Sequence, residues 1–210
     1  MVDKITSWKY TEEFVDENEA MLRARARADE LGLECITAAT GAHLALLVSA
    51  LGAKAIVEAG TGAGLSGLWL LSGNTSAVLA TIDTEGDNQT AAKASFKDAK
   101  IAPARTRVIH GRASEVMSNM ADAAYDLVFL DADRETLELQ IREASRLLRP
   151  GGVIAIAHAL WRDRVPDPAI RDEATGVYRD ALRFFVNNDD FITTLSPVGD
   201  GLLMASKRVH

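Results

Sequence analysis

The segment Ala55–Gly67, which reads A-I-V-E-A-G-T-G-A-G-L-S-G, constrains the fold more than any other stretch of the chain. It begins with a short apolar run whose length suits a strand that is buried on both faces. Gly60, Gly62 and Gly64 follow at alternate positions, and such glycines admit unusual backbone torsions and let a ligand lie against the main chain. The apolar run Leu65–Leu71 then predicts a helix, so the glycine turn leads to a helix N-terminus. This order of strand, glycine turn and helix is typical of the ligand-binding corner of an α/β sheet.

Two registers of the glycine turn predict different cofactors. A G-x-G-x-x-G pattern that starts at Gly62 fits the dinucleotide-binding fingerprint, and the acidic Asp83 follows at the spacing which that fingerprint requires. An E-x-G-x-G-x-G pattern that starts at Glu58 instead resembles the first motif of S-adenosylmethionine-dependent methyltransferases. A carboxylate at the end of the strand would repel a pyrophosphate and suit a cofactor that carries a cationic amino acid group. The glycines alone leave both registers open.

Length, charge and cysteine content limit the class of protein. A chain of 210 residues is long enough to bury the core of one α/β domain and short for two. Its net charge of -7 argues against broad nucleic-acid binding, which needs a positive surface. The single cysteine, Cys35, has no second cysteine for an internal disulfide, which favours a reducing cytoplasm. Without a signal-peptide core or a run of ~18 apolar residues, the sequence predicts a cytoplasmic protein with no membrane partner.

Two helices are predicted before the first strand. Thr11–Leu31 reads as one helix closed by a glycine, and Thr37–Leu51 as a second, with leucine and valine at helical spacing and Gly52 as its stop. Because both precede the first strand, we expect residues 1–52 to lie outside the sheet as a cover over the cofactor and acceptor site. Residues 53–210 would form the cofactor-binding core of the same single domain.

Beyond the glycine turn, short apolar runs alternate with helical patterns. This alternation predicts parallel strands joined by helices on both faces of a sheet. The last two runs instead flank a Gly-Asp-Gly turn and are close enough to pair as an antiparallel hairpin. We therefore predict an α/β fold with a Rossmann-like, doubly wound sheet of seven strands that is mostly parallel and ends in an antiparallel hairpin. The predicted strands after the first are Ala77–Ile82, Thr106–Ile109, Tyr125–Leu130, Val153–Ile156, Phe191–Pro197 and Leu202–Lys207.

Polar and small residues follow three of these strands, at the edge of the sheet where α/β enzymes place their sites. Asp83, after the second strand, can bind two ribose hydroxyls, or it can serve as a cap or turn residue for the helix that begins near Gly86. Gly111 and Ala113, after the third strand, leave room for a flat adenine ring, although an ordinary turn has the same composition. The segment Asp131–Arg134 follows the fourth strand and supplies three charged side chains.

Taken in this order, the motifs resemble the small cation-dependent O-methyltransferases, the group of catechol and caffeoyl-CoA O-methyltransferases and their bacterial relatives. The resemblance runs from about Cys35 to the C-terminus, and the order of the motifs is more specific than any one of them. The antiparallel hairpin also suits this group, because dinucleotide-binding folds usually end in parallel strands. The matching segments are Glu58–Ser66, Asp83, Gly111–Ala113, Tyr125–Asp133, Leu148–Gly152 and Leu160–Pro168.

The resemblance implies S-adenosylmethionine as the cofactor, S-adenosylhomocysteine as its product and a small hydroxylated aromatic molecule as the methyl acceptor. In this family the glutamate and serine of the glycine motif, here Glu58 and Ser66, hold the methionyl end of the cofactor. Asp83 stands at the position of the ribose-binding acid, and Gly111 and Ala113 lie on the adenine side. Family members are commonly homodimers. The further cofactor-binding residues that the resemblance implies are Gly60, Thr61, Gly62, Gly64 and Asp131.

The chain departs from the family pattern where the chemistry takes place. The family binds Mg²⁺ or a similar ion with the aspartate after the fourth strand, here Asp131, and with an Asp-Asn pair after the fifth, here replaced by Ala157 and His158. Mg²⁺ requires oxygen ligands in near-octahedral geometry, whereas alanine offers no ligand and imidazole favours transition metals. Asp131 and His158, helped by Asp133, remain candidate ligands for Zn²⁺, Fe²⁺ or Ni²⁺, and the simpler interpretation is that the metal site is lost.

His158 has two further candidate roles. Its imidazole can deprotonate the acceptor as a general base, because imidazole titrates close to neutral pH. It can also be structural and hydrogen-bond Asp131 or a main-chain carbonyl, and Asp131 would then orient His158 or face the cofactor's sulfonium. Arg134 replaces a family lysine that serves as base or substrate anchor, and its guanidinium stays protonated and cannot be the base. Trp161 either walls the acceptor pocket or packs as a core aromatic residue.

The sequence supports three functional hypotheses. The first is S-adenosylmethionine-dependent methyl transfer to a hydroxyl of a small aromatic acceptor, with weakened or absent metal dependence and with His158, Asp131 and Arg134 at the catalytic site. The second is an S-adenosylmethionine-binding protein that has lost catalysis, because Ala157 and Arg134 replace family residues. The third is an NAD-dependent oxidoreductase, which rests only on the register that starts at Gly62.

Overall fold

A seven-stranded sheet forms the centre of the computed structural model, which describes residues 3–210. The strands are β1 (Ala55–Ala59), β2 (Val78–Asp83), β3 (Thr106–His110), β4 (Tyr125–Leu130), β5 (Leu148–Ile156), β6 (Phe191–Ser196) and β7 (Leu202–Lys207). Their order in the sheet is β3-β2-β1-β4-β5-β7-β6. Strands β1 to β5 are parallel, whereas β7 is antiparallel to both β5 and β6. The predicted seven-stranded sheet, mostly parallel with an antiparallel C-terminal hairpin, is therefore confirmed.

Helices cover both faces of this sheet. Between residues 3 and 210 they are α1 (Lys4–Glu12), α2 (Glu19–Glu30), α3 (Ala38–Leu51), α4 (Leu65–Ser72), α5 (Gly86–Asp98), α6 (Ala113–Ser118), α7 (Leu137–Leu147) and α8 (Glu173–Val186). Residues of α2, α3, α4 and α5 belong to one buried apolar cluster, and residues of α6, α7 and α8 belong to a second. The sheet separates these two clusters, which makes the fold doubly wound.

Strand β1 shows why the first apolar run has no polar alternation. Ile56 packs in one buried cluster, while Val57 and Ala59 pack in the other. Because successive side chains point to opposite faces, a strand covered on both sides shows no polar alternation, and the one polar residue of β1, Glu58, is buried as well. The chain passes from β1 to β2 on one side, and β4 lies on the other side of β1. The carboxyl ends of β1 and β4 therefore flank the switch point at which α/β folds bind ligands.

Two predicted elements differ from the observed ones by more than one residue at an end. The expected helix Thr11–Leu31 begins later, as α2 at Glu19, because the Asn18 side chain accepts hydrogen bonds from the N–H groups of Ala20 and Met21 and caps the helix there. The separate helix α1 was not predicted. Strand β5 begins at Leu148 rather than at residue 153. Leu148 pairs with β4, and an irregularity in the register lets the proline and glycines after it remain within the strand.

The turn of the C-terminal hairpin reaches the carboxyl end of β5. Ala159 N–H donates to the Gly201 carbonyl and Leu160 N–H to the Asp200 carbonyl, both at 2.9 Å. These hydrogen bonds bring the end of the chain to the edge of the sheet that carries the polar residues. Within residues 3–210, none of the helices combines the length and the apolar character that crossing a bilayer would require.

Candidate active site

A cavity of 380 Å³ lies at the carboxyl ends of β1 and β2. The loop between α2 and α3, at residues 33–36, closes it from the N-terminal side. Arg25 of α2 fixes this loop, since its guanidinium donates to the Ile36 carbonyl at 2.9 Å and pairs with Glu17 at 2.6 Å. Of the residues predicted to bind a cofactor, the cavity is lined by Gly60, Thr61, Gly62, Ser66, Asp83, Gly111, Ala113 and Asp131.

Two glycines of the turn have different surroundings: Gly60 lies against another backbone segment, and Gly62 faces open space. Gly60 has φ +94°, and a Cβ atom there would overlap the Asp131 carbonyl, so this turn lies directly against the end of β4. Gly62 has φ +47°, and a Cβ atom there would meet no atom within 4 Å, so the main chain is open to the cavity. Gly64 packs against Ala92 of α5 and does not line the cavity.

Glu58, at the carboxyl end of β1, is fully buried. Its Oε2 accepts a hydrogen bond from the Thr81 hydroxyl at 2.6 Å, but its buried Oε1 accepts none from residues 3–210. Burial raises the pKa of Glu58 to about 7, although the Ser66 and Thr81 hydroxyls oppose that increase. A buried acceptor without a donor is costly, so Glu58 fits a ligand that brings a cationic donor. It lies behind the cavity lining, next to Ser66.

Asp83 holds the glycine turn in place. Its Oδ2 accepts hydrogen bonds from the N–H groups of Thr61 and Gly62, both at 3.0 Å. Its Oδ1 accepts one from Glu85 N–H at 2.9 Å, and the Asn88 amide donates to both oxygens at 3.3 Å. The turn-forming role considered for Asp83 is therefore present in the fold. Asp83 also lines the cavity, and its contact with a ribose stays a prediction.

A second cavity of 220 Å³ adjoins the first. The two share the residues 131–133 after β4, so Asp131 lies in the wall between them. Trp161 and Tyr178 line the second cavity, and their rings stack with centroids 5.0 Å apart. Trp161 therefore lines this cavity and packs against a buried aromatic residue, and its contact with an acceptor stays a prediction. His158 lines the second cavity but not the first.

His158 lies between two carboxylates at the end of β5. Its Nε2 is 3.4 Å from Asp131 Oδ1, and its Nδ1 is 3.3 Å from Asp200 Oδ2. All three side chains are about one-fifth exposed. Burial raises the pKa of Asp131 to about 6, while the charge of His158 lowers it and that of Glu34 raises it further. The structure thus brings the two predicted chemical groups, His158 and Asp131, together.

The loop that carries His158 has a strained backbone. His158, Trp161, Arg162 and Asp163 have φ values of +56°, +46°, +55° and +58°. This left-handed conformation costs roughly 1–2 kcal/mol for each non-glycine residue. Such strain persists where surrounding contacts impose it, and it is concentrated at functional sites.

Arg134 lies at the mouth of the second cavity. Its guanidinium carbon is 5.3 Å from the centroid of the Trp161 ring, and that of Arg162 is 5.6 Å away. These are cation–π distances. The Arg162 guanidinium also pairs with Glu34 at 2.9 Å and so links the loop after β5 to the loop that closes the first cavity.

The side chains at this edge do not fit an Mg²⁺ ion. Among residues 3–210, no group of three or more His, Cys, Asp or Glu side chains is arranged to hold a metal. The Ala157 side chain has no ligand atom, and Asp133, the expected helper, instead accepts the Glu135 N–H at 2.9 Å and caps a short turn. Asp131 and His158 offer fewer ligands than octahedral Mg²⁺ takes. Their coordination of a transition metal stays a prediction that the donor set does not favour.

Asp200 and Tyr178 are site residues that sequence reasoning missed. Asp200 is 42 residues away from His158 in the chain, and only the pairing of β7 with β5 brings the two together. Tyr178 lies on α8, where it reads as one apolar position of a helical stripe. The predicted hairpin was the available signal for Asp200, because its pairing with β5 brings its turn to the same sheet edge.

The doubly wound sheet, the glycine turn at its switch point and the two adjoining cavities define the class of Rossmann-like methyltransferases. Residues 11–208 match the family model described as O-methyltransferase. The chain belongs to this family. Membership confirms the predicted enzyme class with S-adenosylmethionine as cofactor, and it selects the register that starts at Glu58.

Individual relatives agree with this assignment. A Mycobacterium ulcerans protein named as an O-methyltransferase is 45% identical over 197 residues, which are 93% of this chain and 88% of that protein. A solved structure from Corynebacterium glutamicum is 32% identical with a TM-score of 0.88, and the match covers 96% of this chain and 95% of that one. The O-methyltransferase TomG from Streptomyces achromogenes, solved in complex with S-adenosylmethionine, is 25% identical with a TM-score of 0.83, over 99% and 100% of the two chains.

Proposed function

We propose that this protein transfers the methyl group of S-adenosylmethionine to a hydroxyl of a small aromatic acceptor, with His158 as the general base and without a bound Mg²⁺. The observation that carries the proposal is the pair of cavities that meet at Asp131, with His158 Nε2 3.4 Å from Asp131 on the side of the second cavity. Methyl transfer needs two ligands aligned in adjoining sites, and this arrangement provides two such sites.

The larger cavity fits the cofactor. The free, buried Oε1 of Glu58 suits the ammonium of the methionyl group, and Ser66 lines the cavity beside it. Gly62 presents open main chain, and Asp83, Gly111 and Ala113 line the part where ribose and adenine would lie. When bound, S-adenosylmethionine supplies a methyl group whose S–C bond breaks as the O–C bond forms, and the bonding electron pair stays on the sulfur.

The smaller cavity suits a planar acceptor. Trp161, supported by its stacking on Tyr178, offers an aromatic wall against which a phenolic ring can pack. Arg134 at the cavity mouth offers guanidinium N–H groups for an anionic substituent. These features support an acceptor that is aromatic, hydroxylated and small enough for 220 Å³.

His158 is the group best placed to make the acceptor nucleophilic. Its Nε2 takes the hydroxyl proton as the oxygen attacks, and the imidazolium passes that proton to solvent after transfer. The Arg134 guanidinium offers only hydrogen-bond donors and does not compete for this role. Asp131, between the cavities, stabilises the imidazolium that forms and offers a negative charge on the cofactor side. The cytoplasmic location and the homodimer rest on composition and resemblance and remain predictions.

Methyl transfer to catechol, caffeate or 3,4-dihydroxybenzoate tests the proposal. We expect His158→Gln to lower kcat at least ~100-fold while the Kd for S-adenosylmethionine stays within twofold, because a general base contributes about 10²–10⁴-fold. His110→Gln is the matched control, since His110 is exposed at the end of β3. Turnover that survives in His158→Gln would rule out the base. Cofactor binding without turnover of these or any further phenols would favour the hypothesis of a silent binding protein.

A further inference from the structure

Asp200, in the turn between β6 and β7, contacts His158 from the side away from the acceptor. It does not line the second cavity, whereas His158 does. Its Oδ2 is 3.3 Å from His158 Nδ1 with the geometry of a hydrogen bond. The contact between His158 Nε2 and Asp131 Oδ1 is an ion-pair distance of 3.4 Å. The two ring nitrogens therefore differ, and Nδ1 is the one held by a hydrogen bond.

The second oxygen of the same carboxylate holds the strained loop. Asp200 Oδ1 accepts a hydrogen bond from Arg162 N–H at 2.6 Å. The Asp200 carbonyl also accepts one from Leu160 N–H at 2.9 Å. His158 and Arg162 both have a left-handed backbone that non-glycine residues avoid, so contacts of this kind are what maintain it. One side chain thus fixes the loop backbone and the imidazole that the loop carries.

The turn that carries Asp200 is itself fixed from three sides. Gly199 N–H donates to Glu12 of α1 at 2.7 Å, and a Cβ atom on Gly199 would be 2.6 Å from the Thr40 hydroxyl of α3. A Cβ atom on Gly201 would be 2.6 Å from Leu160 Cγ. Because the turn has no room to shift, its carboxylate is presented to His158 in a defined position.

We propose that Asp200 is the positioning residue of His158, which accepts its Nδ1–H, fixes the tautomer with an unprotonated Nε2, and so leaves that nitrogen free to take the acceptor proton. This inference rests on the proposed function of His158 as the base. A hydrogen bond to one ring nitrogen sets which nitrogen carries the proton, as in hydrolases where a carboxylate orients the catalytic histidine. Asp131 faces the other nitrogen from the wall between the cavities.

Nitrogen-15 NMR of the full chain with labelled histidine tests the positioning without any turnover. Spectra are recorded at pH 9, where free imidazole is neutral, and His158 is assigned from its loss in His158→Gln. We expect wild-type His158 to be protonated on Nδ1. Protonation on Nε2 in the wild type would overturn the inference, and this result does not depend on the folding of any Asp200 variant.

Asp200→Asn separates the tautomer from the backbone contact. The asparagine oxygen can keep the Arg162 N–H bond while its NH₂ group donates to Nδ1, so we expect the proton to move to Nε2 and kcat to fall ~100-fold or more with the S-adenosylmethionine Kd unchanged. Asp190→Asn is the matched control, because Asp190 lies beside His210 in an exposed pair. An Nδ1 proton retained in Asp200→Asn would contradict the inference. A moved proton with unchanged kcat would support the positioning and refute His158 as the base.

Discussion

The Asp131 carboxylate and the His158 imidazole lie 3.4 Å apart, from Oδ1 to Nε2, at the wall shared by the two cavities. The resemblance implies that related enzymes bind a metal ion at this position, and in this chain Ala157 replaces a residue that would be one of the ligands of that ion. The His158 imidazole lies close to this position, and it can itself accept a proton. Under the proposed function, a side chain activates the acceptor in place of a cation.

We expect the folding stability of the protein to depend on pH, because Glu58 is buried. Its folded pKa of about 7 exceeds the ordinary value of 4.5, so between these values the folded state binds more protons than the unfolded state. The free energy of unfolding of the cofactor-free protein therefore falls as pH rises from about 4.5 to 7, by at most ~3 kcal/mol. Glu58→Gln lacks this titration and should be more stable than wild type at pH 8, with the difference shrinking at pH 5.

Urea unfolding of both proteins at pH 5 and pH 8 measures this effect. Glu138→Gln, which alters an exposed glutamate of α7, is the control and should track the wild type. The same Glu58→Gln protein should bind S-adenosylmethionine at least ~10-fold more weakly, because the amide lacks the charge that attracts an ammonium. A stability difference that does not change between the two pH values would contradict the buried, proton-holding state of Glu58.

We expect Gly62→Ala to weaken cofactor binding by more than its effect on stability explains. Gly62 and Gly52 both have a left-handed backbone, and a Cβ atom at either position meets no atom within 4 Å. Alanine at either site should therefore cost a similar ~1 kcal/mol of folding free energy. Only Gly62 lines the cofactor cavity, so only Gly62→Ala should weaken S-adenosylmethionine binding in calorimetry. Equal affinities for the two variants would mean that the cofactor does not lie against this turn.

We expect Arg134→Gln to weaken the binding of acceptors that carry a negative charge. The guanidinium lies over the Trp161 ring, which leaves its N–H groups available to a carboxylate at the cavity mouth. The KM for caffeate and 3,4-dihydroxybenzoate should rise roughly 10-fold, that for catechol should change little, and kcat should stay within twofold. Arg142→Gln, at an exposed position on α7, is the control. An equal rise in KM for catechol would argue against charge recognition.

Local patterns of the sequence determine most of this fold. The apolar runs predicted the sheet because β1 and its neighbours are covered on both faces, and the strand limits of β4 and β7 were correct. The start of α2 was predicted too early because it depends on one capping side chain, Asn18, and α1 was not predicted. Element boundaries of this kind depend on individual hydrogen bonds and not on periodicity.

The cofactor side of the site was predictable, and part of the acceptor side was not. Gly62 and Asp83 lie close together because strand ends meet at one sheet edge, a rule that sequence order alone supplies. Asp200 reaches His158 through a return of the chain by way of β6 and β7, and its role depends on atomic distances within a strained loop. Periodicity carries no information about such contacts.

The most direct test of the account is the turnover of chelator-treated wild-type protein with S-adenosylmethionine and catechol, repeated after addition of Mg²⁺, Zn²⁺ or Ni²⁺. We predict a kcat that chelation leaves unchanged and that none of the ions raises more than twofold, because His158 removes the acceptor proton. The contradicting result is that chelation abolishes the activity and that one added ion restores it. The same ion would then fail to restore activity in Asp131→Ala and in His158→Ala. The two residues would then be metal ligands.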